Sequence, residues 1–79
     1  MANKFDRNAF GRRLAAIRKE RGISQADLAE KSGVSLNAIA RYETGAATPG
    51  ADKVCELADA LACTADVLMG RVSITEREA

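Results

Sequence analysis

Apolar positions along this chain recur at helical spacing and are cut into short runs by glycine. From Asn8 to Arg21, the residues Phe10, Leu14 and Ile17 fall at i, i+4 and i+7, which predicts one inward stripe on an amphipathic helix ended by Gly22. Ser24 followed three residues later by Asp27 is a capping-box pattern and predicts a second helix from Gln25 to about Lys31. Gly33 supplies a left-handed helix end, and Ser35 caps a third helix, Leu36 to Glu43, which Gly45 stops. Thr48-Pro49 predicts the start of a fourth helix, with Thr as cap and Pro at the first helical position, where its missing amide costs nothing. Within it Val54, Leu57, Ala58 and Leu61 repeat at i, i+3, i+4 and i+7. Thr64 caps a last short helix, Ala65 to Met69, closed by Gly70. No segment sustains the alternation of a strand core. The expectation is an all-α, compact five-helix bundle at 9–70, preceded by an arm at 1–8. A tail at 71–79 follows, a frayed end or a docking segment, alternating weakly at Val72 and Ile74 before turning charged.

The stretch Gln25 to Thr44 orders its constraints in a mechanically specific way. Two helices that cross through a short turn need a small residue where the backbones approach, here Ala29, and Gly33 permits the turn. Leu28, Val34, Ile39 and Tyr42 are expected to face inward. Ser35, Leu36, Asn37, Ala40 and Arg41 then point outward.

Composition narrows the function. The chain has 79 residues and a net charge of +1, but its first 21 residues hold seven Lys/Arg against two acids while the remainder holds five against nine. Such a division either concentrates positive potential on one face or reflects an ordinary solvated helix face. There is no His, and Cys55 and Cys63 are the two thiols, so neither a four-ligand zinc site nor a His-based catalytic group can be assembled from this chain. An enzyme, a metal and a cofactor are not expected. The cysteines, outside any CxxC arrangement and too far apart along one helix for a disulfide, are expected in the core. The apolar runs are too short for a membrane span and the polar start lacks a secretory signal, which together point to the cytoplasm.

The segment QADLAEKSGVSLNAIARYETG resembles the helix-turn-helix of the phage-repressor family, which includes lambdoid repressors, Cro and xenobiotic-response-type regulators. FGRRLAAIRKERGISQ and ELADALACTADVLMG are similar to that family's first helix and its last two, so the likeness runs from about Phe10 to Gly70. The resemblance implies a sequence-specific transcriptional regulator, most often a repressor, that binds double-stranded DNA as a homodimer on a palindromic operator. It implies that Gln25, at the start of helix two, lies against a phosphate, where helix amides favour an anion. It places Ser35, Leu36, Asn37 and Arg41 nearest base edges in the major groove, with Thr44 near the backbone. A guanidinium such as Arg41 can bind guanine O6 and N7 together, Asn37 can read adenine, and Leu36 can touch a thymine methyl. Arg18 and Glu43 match a pair that forms an internal salt bridge in the family. Val67, Leu68, Met69, Val72 and Ile74 are the expected dimer surface.

Four positions depart from the family pattern. Ser32 stands at a usually apolar site before the turn, which predicts looser packing, and Ala62 replaces a frequent glycine, which predicts a strained or a different corner. Val67 stands where a large aromatic is frequent, and the loop Gly45 to Pro49 carries no Lys or Arg. That last departure predicts weaker nonspecific DNA binding. It also keeps open a rival function on the same fold, a protein-interaction module or antitoxin-like partner.

Overall fold

A computed structural model describes residues 5–71, and within them the chain forms five helices and no strand. These are α1 (Arg7–Glu20), α2 (Gln25–Ser32), α3 (Leu36–Thr44), α4 (Ala51–Ala60) and α5 (Ala65–Leu68). The long first helix packs against α3 and α5, while α2 lies against α3 and α4, and α4 against α5. Every stripe residue expected to face inward does so. Phe10, Leu14 and Ile17 meet Leu28, Val34, Ile39 and Tyr42 and then Val54, Leu57, Ala58 and Leu61 in one core.

Local chemistry explains where the helices start. Asp6 caps α1 by accepting the Asn8 and Ala9 amides. Ser24 accepts the Asp27 amide while Asp27 accepts the Ser24 amide, completing the capping box, and Ser35 and Thr64 cap α3 and α5 through Ala38 and Val67. The expectation at Thr48 is corrected. Gly50 is the N-cap of α4, without a side-chain bond, and the helix begins two residues after Pro49. Pro49 is buried at N′ and Val54 is buried at N4, the two positions of a hydrophobic staple, so the proline serves packing rather than helix entry.

The ends follow one pattern. At α4 the Ala62 amide donates to the Asp59 carbonyl and the Cys63 amide to the Ala58 carbonyl, the double bond of a Schellman turn. The turning residue must be left-handed, and Ala62 has φ +58°, the one positive φ at a non-glycine among the described residues. The strained corner expected at Ala62 is present.

Two other positions shape the turns and the packing. The Ser32 hydroxyl accepts the Val34 amide at 3.1 Å and ties the turn before α3. The closest backbone approach named by the glycines lies between α1 and α3, at Gly11. A Cβ there would collide with the Tyr42 carbonyl oxygen and lie 2.7 Å from that of Glu43, backbone atoms that cannot rotate away. Gly11 therefore sets how near α3 sits to α1. Its place in the stripe gave no signal, because a missing side chain leaves no periodicity.

Two stability measurements follow. In urea titrations Ala62→Gly is expected to be more stable by about 0.5–1 kcal/mol, since relieving a left-handed alanine gains more than the added unfolded-state freedom costs. Gly11→Ala is expected to lose about 1–2 kcal/mol despite alanine's better helix propensity, because α1 and α3 must separate.

Candidate nucleic-acid interface

The α3 helix buries Ile39 and Tyr42 and turns Ser35, Leu36, Asn37, Arg41 and Thr44 to solvent. Leu36 is 48% exposed, one of two large apolar side chains on the described surface. Ala40, expected outward, is half-buried between the two faces. The nine residues of α3 run about 13.5 Å, and the diameter of a helix with its side chains, about 10–12 Å, matches a major groove about 12 Å wide. Thr44 donates its hydroxyl back to the Arg41 carbonyl at 3.1 Å, and the Ser35 oxygen is engaged as the cap. Arg41 has no ion pair or side-chain hydrogen bond among the described residues, so its five donors are uncommitted.

A buried polar network fixes this helix. Arg18 Nε donates to Glu43 Oε2 at 2.7 Å and Arg18 Nη2 to Glu43 Oε1 at 3.0 Å, a bidentate pair whose side chains are 10% and 8% exposed. Arg18 Nη1 donates to the Ile23 carbonyl in the turn before α2, at 2.9 Å. Gln25 Nε2 adds a third bond to the carboxylate, reaching Glu43 Oε1 at 2.9 Å. Three elements thus converge on one residue near the end of α3. Burial opposes the charged form of Glu43, but the bonds from Arg18 and Gln25 outweigh it and hold the carboxyl below its ordinary range. The bond to Glu43 likewise pushes the Arg18 guanidinium up. The ion pair that the resemblance names is formed, with both side chains nearly buried. Gln25 sits at the first turn of α2, with its side chain engaged inward on Glu43 as well.

Three of the seven basic residues in the N-terminal third bond within the protein. Arg21 Nε donates to the Leu61 carbonyl at 2.8 Å and Arg13 Nη1 to the Leu68 carbonyl at 3.4 Å, placing cations at the negative ends of α4 and α5. A charge count could not have revealed this, because partner carbonyls become neighbours only in the fold. Arg7, Arg12 and Lys19 remain exposed.

The expected dimer residues separate. Val67 and Leu68 are 3% and 0% exposed and belong to the protomer's own core, which corrects their assignment to a surface: a four-residue helix must spend its apolar side on α1 and α4. Met69 is half-buried at the edge of an open apolar groove of about 390 Å³, lined also by Phe5, Pro49, Val54 and Cys55. Val72 and Ile74 lie outside the described residues. Cys55 is exposed, contrary to expectation, because it falls one position beyond the α4 stripe, while Cys63 packs partly buried against the core. Among the described residues no cluster of His, Cys, Asp or Glu is arranged to hold a metal, and no helix is long and apolar enough to cross a membrane.

Short paired helices with a solvent-facing second member define the helix-turn-helix class, and the comparisons agree. A helix-turn-helix family model matches residues 14–68. The chain is 36% identical over 66 residues to the cryptic phage CTXphi transcriptional repressor RstR of Vibrio cholerae, covering 84% of this chain and 59% of that one. It is 32% identical over 68 residues to the immunity repressor protein of Bacillus phage phi105, covering 86% and 47%. The chain thus spans about half the length of these curated relatives. The crystal structure of the restriction-modification controller protein C.AhdI from Aeromonas hydrophila superposes with a TM-score of 0.78 at 32% identity, over 80% of this chain and 96% of that one. This chain belongs to the helix-turn-helix family of transcriptional regulators, of the repressor type its sequence resembles.

The network makes a pH prediction. A carboxyl held below its ordinary value of 4.5 adds stability that is present above that pH and lost as pH falls through the folded value. Glu43→Gln is expected to cost about 3 kcal/mol in urea titrations at neutral pH. The gap to wild type should narrow steadily on acidification below 4.5, as Glu43 protonates.

Proposed function

We propose that the chain is the DNA-reading part of a transcriptional repressor, with α3 in the major groove of double-stranded DNA. The observation that carries this reading is the outward face of α3: Arg41 uncommitted, with Leu36 and Asn37 exposed beside it on a helix held rigidly from behind. In this arrangement Ser35, Leu36, Asn37 and Arg41 approach base edges and Thr44 approaches the backbone. Gln25 and the first amides of α2 meet a phosphate and set the register without reading sequence. No catalytic step, cofactor or metal is needed, and the activity belongs in the cytoplasm.

Arg13, Arg18 and Arg21 are bonded internally and the loop Gly45 to Pro49 has no basic residue, which leaves Arg7, Arg12 and Lys19 as the exposed cations among the described residues of the first third. Two copies on a palindromic operator double the contacts and match the symmetry of such sites. The accessible apolar surface for that pairing is Met69 with its groove, and Val72 and Ile74 are proposed to join it. The internal bonding of those three arginines and the loop without basic residues favour the second reading, a protein-interaction module that keeps the fold without using the groove.

Selection of sequences from a random duplex library at about 0.15 M salt distinguishes the two. Recovery of an inverted repeat with half-site centres about 34–36 Å apart is the expected result. Arg41→Ala should then cost about 1–3 kcal/mol of affinity and relax preference at one position of each half-site. Absence of any enrichment would leave the interaction module as the function.

A further inference from the structure

We infer that the open apolar groove beside Met69 is the seat of the chain's own segment 72–75, with Val72 and Ile74 set into it. The inference rests on the reading of Val72 and Ile74 as part of the apolar surface around Met69 and names where they sit.

The groove, of about 390 Å³, is lined by the apolar side chains of Phe5, Pro49, Val54 and Met69, with Cys55 and Arg71 among its other walls. Phe5 is 41% exposed and, apart from Leu36 on α3, is the one large apolar side chain left to solvent among the described residues. Its ring packs on Phe10 with centroids 5.6 Å apart, which holds it in place as a wall.

The point where the chain leaves the helices indicates what covers this surface. Gly70 closes α5 with φ +80°, and a Cβ there would collide with the Arg13 guanidinium that covers it. The next residue, Arg71, is tied back by its amide to the Asp66 carbonyl at 2.8 Å and by its guanidinium to the Asp66 carboxylate at 4.0 Å. Asp66 and Arg71 both line the groove, so the exit is pinned at its rim and Val72 is the first residue beyond it.

The residues that follow carry a pattern suited to an apolar surface. In Val72-Ser73-Ile74-Thr75, aliphatic and hydroxyl side chains alternate. Extended chain of that pattern presents Val72 and Ile74 on one side, about 7 Å apart, and Ser73 and Thr75 to water. From Glu76 the sequence turns charged and the match ends. A segment tethered at the rim also carries none of the association cost of a free partner, which favours it over any other occupant.

Cys55, exposed on α4 in the groove wall, reports whether the seat is filled. The whole chain is alkylated with iodoacetamide and peptide mass spectrometry reads Cys55 and Cys63 separately. Wild type is compared with the Val72→Ser, Ile74→Ser double variant at low and at high protein concentration. Both substitutions lie beyond the five helices, and the rate at Cys63, packed against the core, checks that the fold is unchanged. Burial of two aliphatic side chains and the ordering of a short tethered segment nearly offset, so Cys55 is expected to react about threefold to tenfold faster in the variant, at both concentrations. Equal rates in the two proteins would overturn the inference. Protection that appears only at high concentration, in both proteins alike, would put a second copy in the groove. That result overturns the seat and leaves the pairing of protomers standing. Light scattering on the same samples reads pairing by mass, so its failure is distinct from failure of the seat.

Discussion

A carboxylate buried near the end of α3 is the interaction on which the arrangement of this small domain turns. Glu43 is 8% exposed at its side chain, in a position where an unpaired charge would be costly, and it is satisfied by donors from two other helices. Removing charge from water gains little by itself. What it adds is specificity: the bidentate geometry of Arg18 admits one relative placement of α1 and α3, and the Gln25 bond adds α2 to the same point. Apolar packing between short helices tolerates sliding far better than a network in which each donor has one acceptor.

Around that junction the protein solves a problem common to very small domains. Its helices are 14, 8, 9, 10 and 4 residues long, too short to persist in isolation. Each end therefore uses a local device. Side-chain caps close most of the beginnings, left-handed turns close the ends, and arginines of α1 reach across to the terminal carbonyls of α4 and α5. The long helix thereby serves as a frame that carries both apolar and polar ties to the other elements. The close approach at Gly11 belongs to the same design, since the bidentate pair and the backbone contact constrain one interface from two points.

Bonding arginines to groups within the fold, with Arg18 alone buried, changes how the basic residues are used. A domain with seven basic residues in its first 21 looks like a polycation, yet three of them bond within the protein. Arg7, Arg12 and Lys19 stay exposed, so only part of the basic charge of this segment reaches solvent uncommitted.

The sequence by itself determined the number and order of the helices, the caps of α2, α3 and α5 and the inward stripes. These depend on neighbours within one turn of helix, where periodicity and capping chemistry are local. It also determined which face of α3 is outward, and the likeness to the phage-repressor family named the Arg18 and Glu43 pair. Tertiary structure decided what depends on residues far apart in the chain. Pro49 packs at N′ instead of opening α4, and Val67 and Leu68 fill the core of the protomer because α5 has no other apolar side to offer. Cys55 is exposed one step off its stripe, and Gln25 reaches a carboxylate 18 residues away. Gly11 matters only where another backbone passes. For Gln25, Gly11 and α5 the deciding partner is distant in sequence, and only closure of the core brings it within hydrogen-bonding or van der Waals reach.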